Sequence, residues 1–318
     1  MTDNTSDASV DADSDELAIV RNYNTSNPEF AFVCGGLRRV AVNPHDKRAR
    51  TQLLRHGVRY FSKMQAMVYV VAAACKPDVF FDIGVNYGEC LFSLPLNSDV
   101  RAYGFEANPA LLPLIKRSIR YNDDLKRVQV FQKAMSETAG EQIPFFVNNA
   151  WSGKSTAVTP SRQRSDIEKI SVETTTLDQE LLKLDTWSTA LIKIDVEGFE
   201  PKVLRGGKSI FDGNKNIAIL LEFDSNFIQQ SGESVSEFFD FLQANFAIFA
   251  VLRRSISKMT SLEDLQKLDT RRESIHFDLL LVNSQDESWS QNLIDQLTSR
   301  PLVEAVSEAW GLPRKKQA

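Results

Sequence analysis

The feature that most constrains this chain is an alternation that begins near residue 78. Short apolar runs at 79–83, 100–105, 128–134, 190–195 and 217–222 are separated by amphipathic stretches of helical length. Runs that are apolar throughout suit strands covered on both faces, and strands alternating with helices predict a parallel α/β sheet. Two later runs, at 247–252 and 275–282, extend the pattern. A section at 135–189 is too long for one crossover. Its Phe145-Phe146-Val147, Trp151-Ser152-Gly153 and Val172–Thr176 segments predict an inserted hairpin or strand pair, then a short helix after Asp178.

The remainder divides by texture. Residues 1–16 carry six acids and no base, with almost nothing to bury, and predict a disordered acidic tail. Residues 17–77 predict an N-terminal helical or cap region, with a helical pattern over 48–75 that Gly57 interrupts and Pro77 closes. Residues 78–283 form the predicted central domain, and 284–318 a C-terminal helical segment and tail. The net charge of −5 belongs to the acidic tail, because the rest of the chain is close to neutral. Nothing in it suggests a nucleic-acid partner. The apolar run 67–75 is about half a membrane span, so no membrane insertion is expected. Cys34, Cys75 and Cys90 lack disulfide or zinc spacing, which points to a reduced, cytoplasmic compartment.

Three strand ends carry the candidate chemistry. The first is Phe81-Asp82-Ile83-Gly84-Val85-Asn86-Tyr87-Gly88, an acid followed by a glycine turn. Ligands of open parallel sheets bind beyond the carboxyl ends of strands, and glycines there let the backbone approach them. The spacing is G-x-x-x-G and lacks the pyrophosphate cradle G-x-G-x-x-G, which argues against a nicotinamide dehydrogenase. The second is Glu106, 24 residues after Asp82 and placed to accept hydrogen bonds from a ribose diol. The third is Ile194-Asp195-Val196-Glu197-Gly198-Phe199-Glu200, with Glu222 one strand later. Carboxylates crowded at one sheet edge are costly unless something offsets them. Glu200 reads most simply as an exposed acid in a first helical turn.

In this order the blocks resemble the FkbM family of S-adenosylmethionine-dependent methyltransferases. The matching pieces are Asp82 to Gly88, Phe105-Glu106-Ala107-Asn108-Pro109, Thr175 to Asp178, Lys193 to Glu200 and Leu204 to Gly207. The resemblance implies a Rossmann-like class I methyltransferase fold. Its seven-stranded, mostly parallel sheet has the order 3-2-1-4-5-7-6, strand 7 antiparallel, and helices on both faces. It implies S-adenosyl-L-methionine as cofactor and methyl transfer to a hydroxyl of a sugar, glycan or natural product. By motif position Asp82, Gly84, Asn86 and Gly88 contact the methionine part, Glu106 the ribose, and Ala134, Met135 and Ser136 the adenine. Asp195 and Glu197 face the methyl and the acceptor and form the expected catalytic pair. Cys90 departs from the family pattern, and Pro95 shortens the first helix.

A neutral alcohol must lose a proton, so a base is needed. The candidates are Asp195, Glu197 and His276, with Asp195 preferred, because His276 opens the last strand and is expected at the far end from the site. A magnesium ion on Asp195, Glu197 and Glu222 is conceivable for hard oxygen ligands, but the expectation is no metal. The alternative function is an inactive cofactor-binding or interaction module with the same fold.

Overall fold

Side chains along the central strands alternate between two apolar layers. The computed structural model describes residues 29–310 apart from 56–60, 96–98, 126, 161, 163, 253–254 and 269–273. Phe80, Leu191, Leu220 and Leu280 belong to one layer, and Phe81, Ile192, Leu221 and Leu281 to the other. Both faces are buried, which is why these strands read as continuous apolar runs. The acidic tail predicted at 1–16 lies outside the described residues.

The described chain opens on an antiparallel hairpin, β1 (Phe30–Val33) and β2 (Arg38–Ala41). It then lays down β3 (Val79–Ile83), β4 (Arg101–Phe105) and β5 (Val128–Phe131). A detour follows through β6 (Ala134–Met135), β7 (Gln142–Asn148) and β8 (Ile167–Thr175). The chain returns as β9 (Thr189–Ile194), β10 (Asn216–Asp224), β11 (Ala247–Val251), β12 (Ile256–Met259) and β13 (His276–Asn283). The main sheet has the order β12-β11-β13-β10-β9-β3-β4-β5. Strands β10, β9, β3, β4 and β5 are parallel, and β13 runs antiparallel to both β10 and β11.

The α/β class and the mostly parallel sheet are as expected, but the sheet has eight strands and not seven. The order differs by β12 at the edge, a hairpin partner of β11. Its four residues, Ile256-Ser257-Lys258-Met259, are half polar and too short to announce a strand; pairing with β11 makes them one. The strand expected over 128–134 also divides. The chain leaves the main sheet after Phe131, and Ala134–Met135 pairs with β8 in a separate three-stranded sheet. That small sheet, β6-β8-β7, is the insertion anticipated at 135–189.

The helical pattern predicted over 48–75 resolves into a π-helical segment, Ala49–Leu54, and an α-helix, Lys63–Cys75. The α-helix opens on a capping box: Ser62 accepts from the Gln65 amide, and the Gln65 side chain accepts from the Ser62 amide. Lys76 closes it in the left-handed region, with φ 46°. Helices Glu287–Thr298 and Leu302–Ala309 pack against it. Trp310 meets Phe61 and Tyr69 edge-on there. After β3 only a 3-10 turn, Leu91–Ser93, stands where a shortened first helix was expected. No described helix is long and apolar enough to cross a membrane.

The β1–β2 hairpin is not a loose appendage. Arg38 is 2% exposed; it donates to the Phe92 and Leu94 carbonyls and pairs with Asp124. Arg117 covers Phe30 from 4.3 Å, and the Ala41 amide donates to Ser118 at 2.8 Å. Removing one partner of a buried ion pair leaves the other groups uncompensated. Arg38→Ala is expected to lower unfolding stability by ~3 kcal/mol or more, measured as a shift of the urea midpoint at unchanged slope.

Candidate functional site

The carboxyl ends of the parallel strands open into a cleft of about 340 Å³, inside the size range of small-molecule sites. The order of side chains along it follows the order of strands. Ala134 and Met135, beyond β5, come first; Glu106 follows β4, Gly84 and Asn86 follow β3, and Asp195 and Glu197 follow β9. Glu222 from β10 and His276 from β13 complete the row, and all of these line the cleft. The insertion roofs it with Phe145 and the Trp151–Ser155 loop, and the N-terminal region contributes Arg48 and Gln52.

The turn after β3 needs its glycine. Gly84 has φ +78°, and a Cβ there would lie 2.0 Å from the Asp195 carbonyl oxygen. Asn86 also holds a left-handed backbone, with φ 53°. Its Oδ1 accepts from Arg48 Nη1 at 3.1 Å, Ser152 Oγ at 3.2 Å and the Tyr87 amide at 3.0 Å. One side chain therefore ties the turn to the N-terminal region and to the roof. Asp46 does the same from below, accepting from the amides of Arg48 and Ser152 and from the Tyr87 hydroxyl.

Glu106 is 6% exposed and accepts the Asn86 amide on one oxygen at 2.7 Å and the Asn108 amide on the other at 2.8 Å. Each oxygen keeps a second acceptor position. Burial raises its pKa against those two amides.

Lys193 is the electrostatic centre. Its Nζ donates to the Gly84 carbonyl at 2.7 Å and lies 3.2 Å from Asp82 and 3.5 Å from Asp195. Burial opposes its charge, but Asp82 and Asp195 outweigh that and raise its pKa. Asp82 is fully buried, with no hydrogen bond of good geometry on either oxygen, although the ammonium faces it. Burial, only partly offset by Lys193, pushes its pKa up to about 6. Asp195 is held below its usual value despite burial by Lys193, a hydrogen bond with Glu222 and the Arg48 charge. Asp195 in turn drives the Glu222 pKa far up, with burial adding to it. The two carboxyls titrate as a pair. Burial, followed by Asp195, also raises Glu197 well above the carboxylate range.

Three expected contacts stand behind the cleft wall and not in it. Asp82 lies beneath Lys193. Gly88, at φ +93°, turns toward Phe92, 2.8 Å from where a Cβ would sit. Ser136 is buried, its amide donating to Thr175 and its carbonyl packed on Gly206. Glu200 is not exposed: at 2% exposure its carboxylate accepts the Val196 amide at 2.9 Å and the Gly198 amide at 3.0 Å, holding the turn that presents Glu197. Glu197 itself sits in the left-handed region, with φ 55°, a strained conformation for a side-chain-bearing residue.

His276 corrects the sequence expectation most sharply. It lies in the cleft, because β13 is antiparallel and its first residues meet the last residues of β10: Asp224 pairs with His276 in the ladder. Its Nδ1 is 2.8 Å from Asp224 Oδ2, and its Nε2 is 3.6 Å from Glu222. Asp224 also caps the helix Ser225–Gln230 and so has a fixed position. Arg48 and Gln52 were likewise missed, since they belong to no motif. The Asp195, Glu197 and Glu222 oxygens lie within 4.8 Å of one another, a spacing that could hold a cation. The Lys193 ammonium already offsets part of that charge.

Burial lifts the Glu200 pKa to about 7. A carboxyl raised in the folded state binds protons that the unfolded chain has lost, so its contribution falls as pH rises between the two values. Relative to wild type, Glu200→Gln is therefore expected to gain stability between about pH 4.5 and pH 7, by up to ~3 kcal/mol. Urea titrations at several pH values would check the slope.

Residues 82–248, just over half of the chain, match the family model described as the methyltransferase FkbM domain. A comparison with curated proteins found no match. Among solved structures, an O-methyltransferase from Bacillus cereus in complex with SAH aligns at 10% identity and TM-score 0.41, covering 87% of this chain and 94% of that one. The SAH-bound Podospora anserina methyltransferase PaMTH1 aligns at 11% identity and TM-score 0.38, covering 89% and 100%.

Proposed function

The chain belongs to the FkbM methyltransferase family, and from that premise we propose methyl transfer from S-adenosylmethionine to a hydroxyl oxygen of a small-molecule or carbohydrate acceptor. The observation that carries the reading is the order of groups along the sheet edge. An apolar wall at Ala134 and Met135, a buried acceptor at Glu106, a close-approach turn at Gly84 and Asn86, then acids and a histidine match adenine, ribose, amino-acid tail and acceptor in sequence. The two free acceptor positions of Glu106 suit a ribose diol. Bound there, S-adenosylmethionine supplies a methyl already activated on sulfur.

The protein's work is then to bind, align and exclude water. Positive charge on sulfur falls during transfer, so a carboxylate gripping it would favour the ground state. Asp195 avoids this, because its charge is engaged by Lys193. Asp195 and Glu197 shape the acceptor side. Asp82, Gly88 and Ser136 act as positioning residues one layer behind. Residues 78–283 form the cofactor domain, Arg48 and Gln52 give its cleft one wall, and helices Glu287–Thr298 and Leu302–Ala309 brace helix Lys63–Cys75.

Proton removal falls to His276. An Asp195 carboxylate held below its usual pKa is a poor proton acceptor near neutrality, whereas an imidazole is suited to it. Asp224 at Nδ1 orients the ring and supports the charge it would gain, and Nε2 lies 3.6 Å from Glu222 beside the cleft.

Calorimetric titration with S-adenosylhomocysteine tests the cofactor assignment. Glu106→Ala is expected to weaken binding ~10- to 100-fold; equal affinity in both proteins would refute the ribose role. Transfer of labelled methyl from S-adenosylmethionine to a panel of hydroxylated acceptors tests the reaction. On any acceptor that responds, His276→Gln is expected to lower kcat ~100-fold or more while cofactor affinity stays unchanged. An unaltered kcat would return the base role to Asp195.

A further inference from the structure

We propose that Arg48, a residue outside the family-matched segment, holds the carboxylate of the cofactor's amino-acid tail. The inference rests on the cofactor reading above and extends it to a residue that no motif identifies.

A cofactor with a free amino-acid end brings a carboxylate into a cleft already rich in acids. Something cationic must meet it. Among the described residues, three permanent cations line the cleft: Arg48, Lys133 and Lys154. Lys133 stands on the adenine side, paired with Glu173 at 2.8 Å, and the exposed Lys154 lies 5.6 Å from the Trp151 ring. Arg48 is paired as well, with Glu89, so position and not pairing decides between them. Only Arg48 is bonded to the turn where the tail must lie, through Asn86 Oδ1. The buried Lys193 ammonium is already surrounded by Asp82, Asp195 and the Gly84 carbonyl.

Arg48 also stands where the cleft meets a second cavity of about 200 Å³. Arg48, Gly84, Asn86, Asp195 and Glu222 line both spaces, and Ser62 at the head of helix Lys63–Cys75 lines the second. A tail that starts at the Glu106 end and passes Gly84 reaches this junction. The guanidinium is fixed before any ligand arrives. Its Nη1 is bonded to Asn86 and Glu89, its amide to Asp46, and its stem passes where a Cβ on Gly153 would be 2.7 Å away. A planar fork held on one nitrogen keeps the other two for a carboxylate. Glu89 balances the charge of Arg48 within the protein and raises its pKa against burial, so the cation persists whether or not the tail is present.

The test separates the tail from the nucleoside. Wild type, Arg48→Gln and Arg48→Lys are titrated calorimetrically with S-adenosylhomocysteine and with 5′-methylthioadenosine, which has the same nucleoside and no amino-acid tail. Thermal melts confirm that each variant is folded. The expected result is a ~10- to 100-fold loss for S-adenosylhomocysteine in Arg48→Gln, a smaller loss in Arg48→Lys, and unchanged 5′-methylthioadenosine affinity in both. Equal losses for the two ligands would make Arg48 a structural support of the turn and overturn the proposal, as would an unchanged S-adenosylhomocysteine affinity. Wild type that bound neither ligand would remove the cofactor reading itself. Wild type that bound both equally would leave that reading intact and overturn the tail contact alone.

Discussion

One buried ammonium organises the ligand end of this sheet. Lys193 sits at 3% exposure on the strand between β3 and β10, and its Nζ reaches Asp82, Asp195 and the Gly84 carbonyl that opens the glycine turn. Burying an ion carries several kcal/mol of desolvation. Two carboxylates and a carbonyl offset it here, and the arrangement persists only if β3 and β9 end together. Their register places Asp82 opposite Lys193, so the charge contact and the ladder specify the same alignment. The Gly84 turn then lies directly against the Asp195 carbonyl, too close for any side chain.

The same ammonium shapes the acidity of its surroundings. It holds the Asp195 pKa down, and the Asp195 charge in turn raises that of Glu222. Several carboxyls thus coexist at one edge with fewer negative charges than their number suggests. The Asp195 carboxylate in this cleft is engaged by Lys193, and the cleft also holds the Arg48 guanidinium and the His276 imidazole. The left-handed backbone at Asn86 and Glu197 marks the two turns that carry this load, and in each case hydrogen bonds hold the turn.

Much of this was legible in the sequence where the signal was local. Strand β3 ends where its apolar run ends, and the glycines that follow mark a backbone that must turn and stay clear. Glu106 could be assigned from its place after the second strand. Signals failed where a residue's surroundings come from distant chain. Glu200 looks like an exposed first-turn acid until the amides of Val196 and Gly198 are seen pointing at it. Asp82 looks like a contact residue until Lys193 is placed above it. Strand β12 has no pattern of its own and exists because β11 offers an edge.

Sequence alone determined which runs become strands, because burial on both faces demands uninterrupted apolar residues, and which turns admit close approach, because glycine lacks a Cβ. It also placed the chain in its family through blocks at strand ends. Only the tertiary structure decided what meets at the cleft. The resemblance implied an antiparallel last strand, but His276 is at the site because the ladder sets its first residue against Asp224, the last residue of β10. Arg48 is there because the N-terminal region is fastened through Asp46 and Asn86 to a loop more than a hundred residues further along. Direction and long-range contact follow from how whole elements pack, and no local spacing records them.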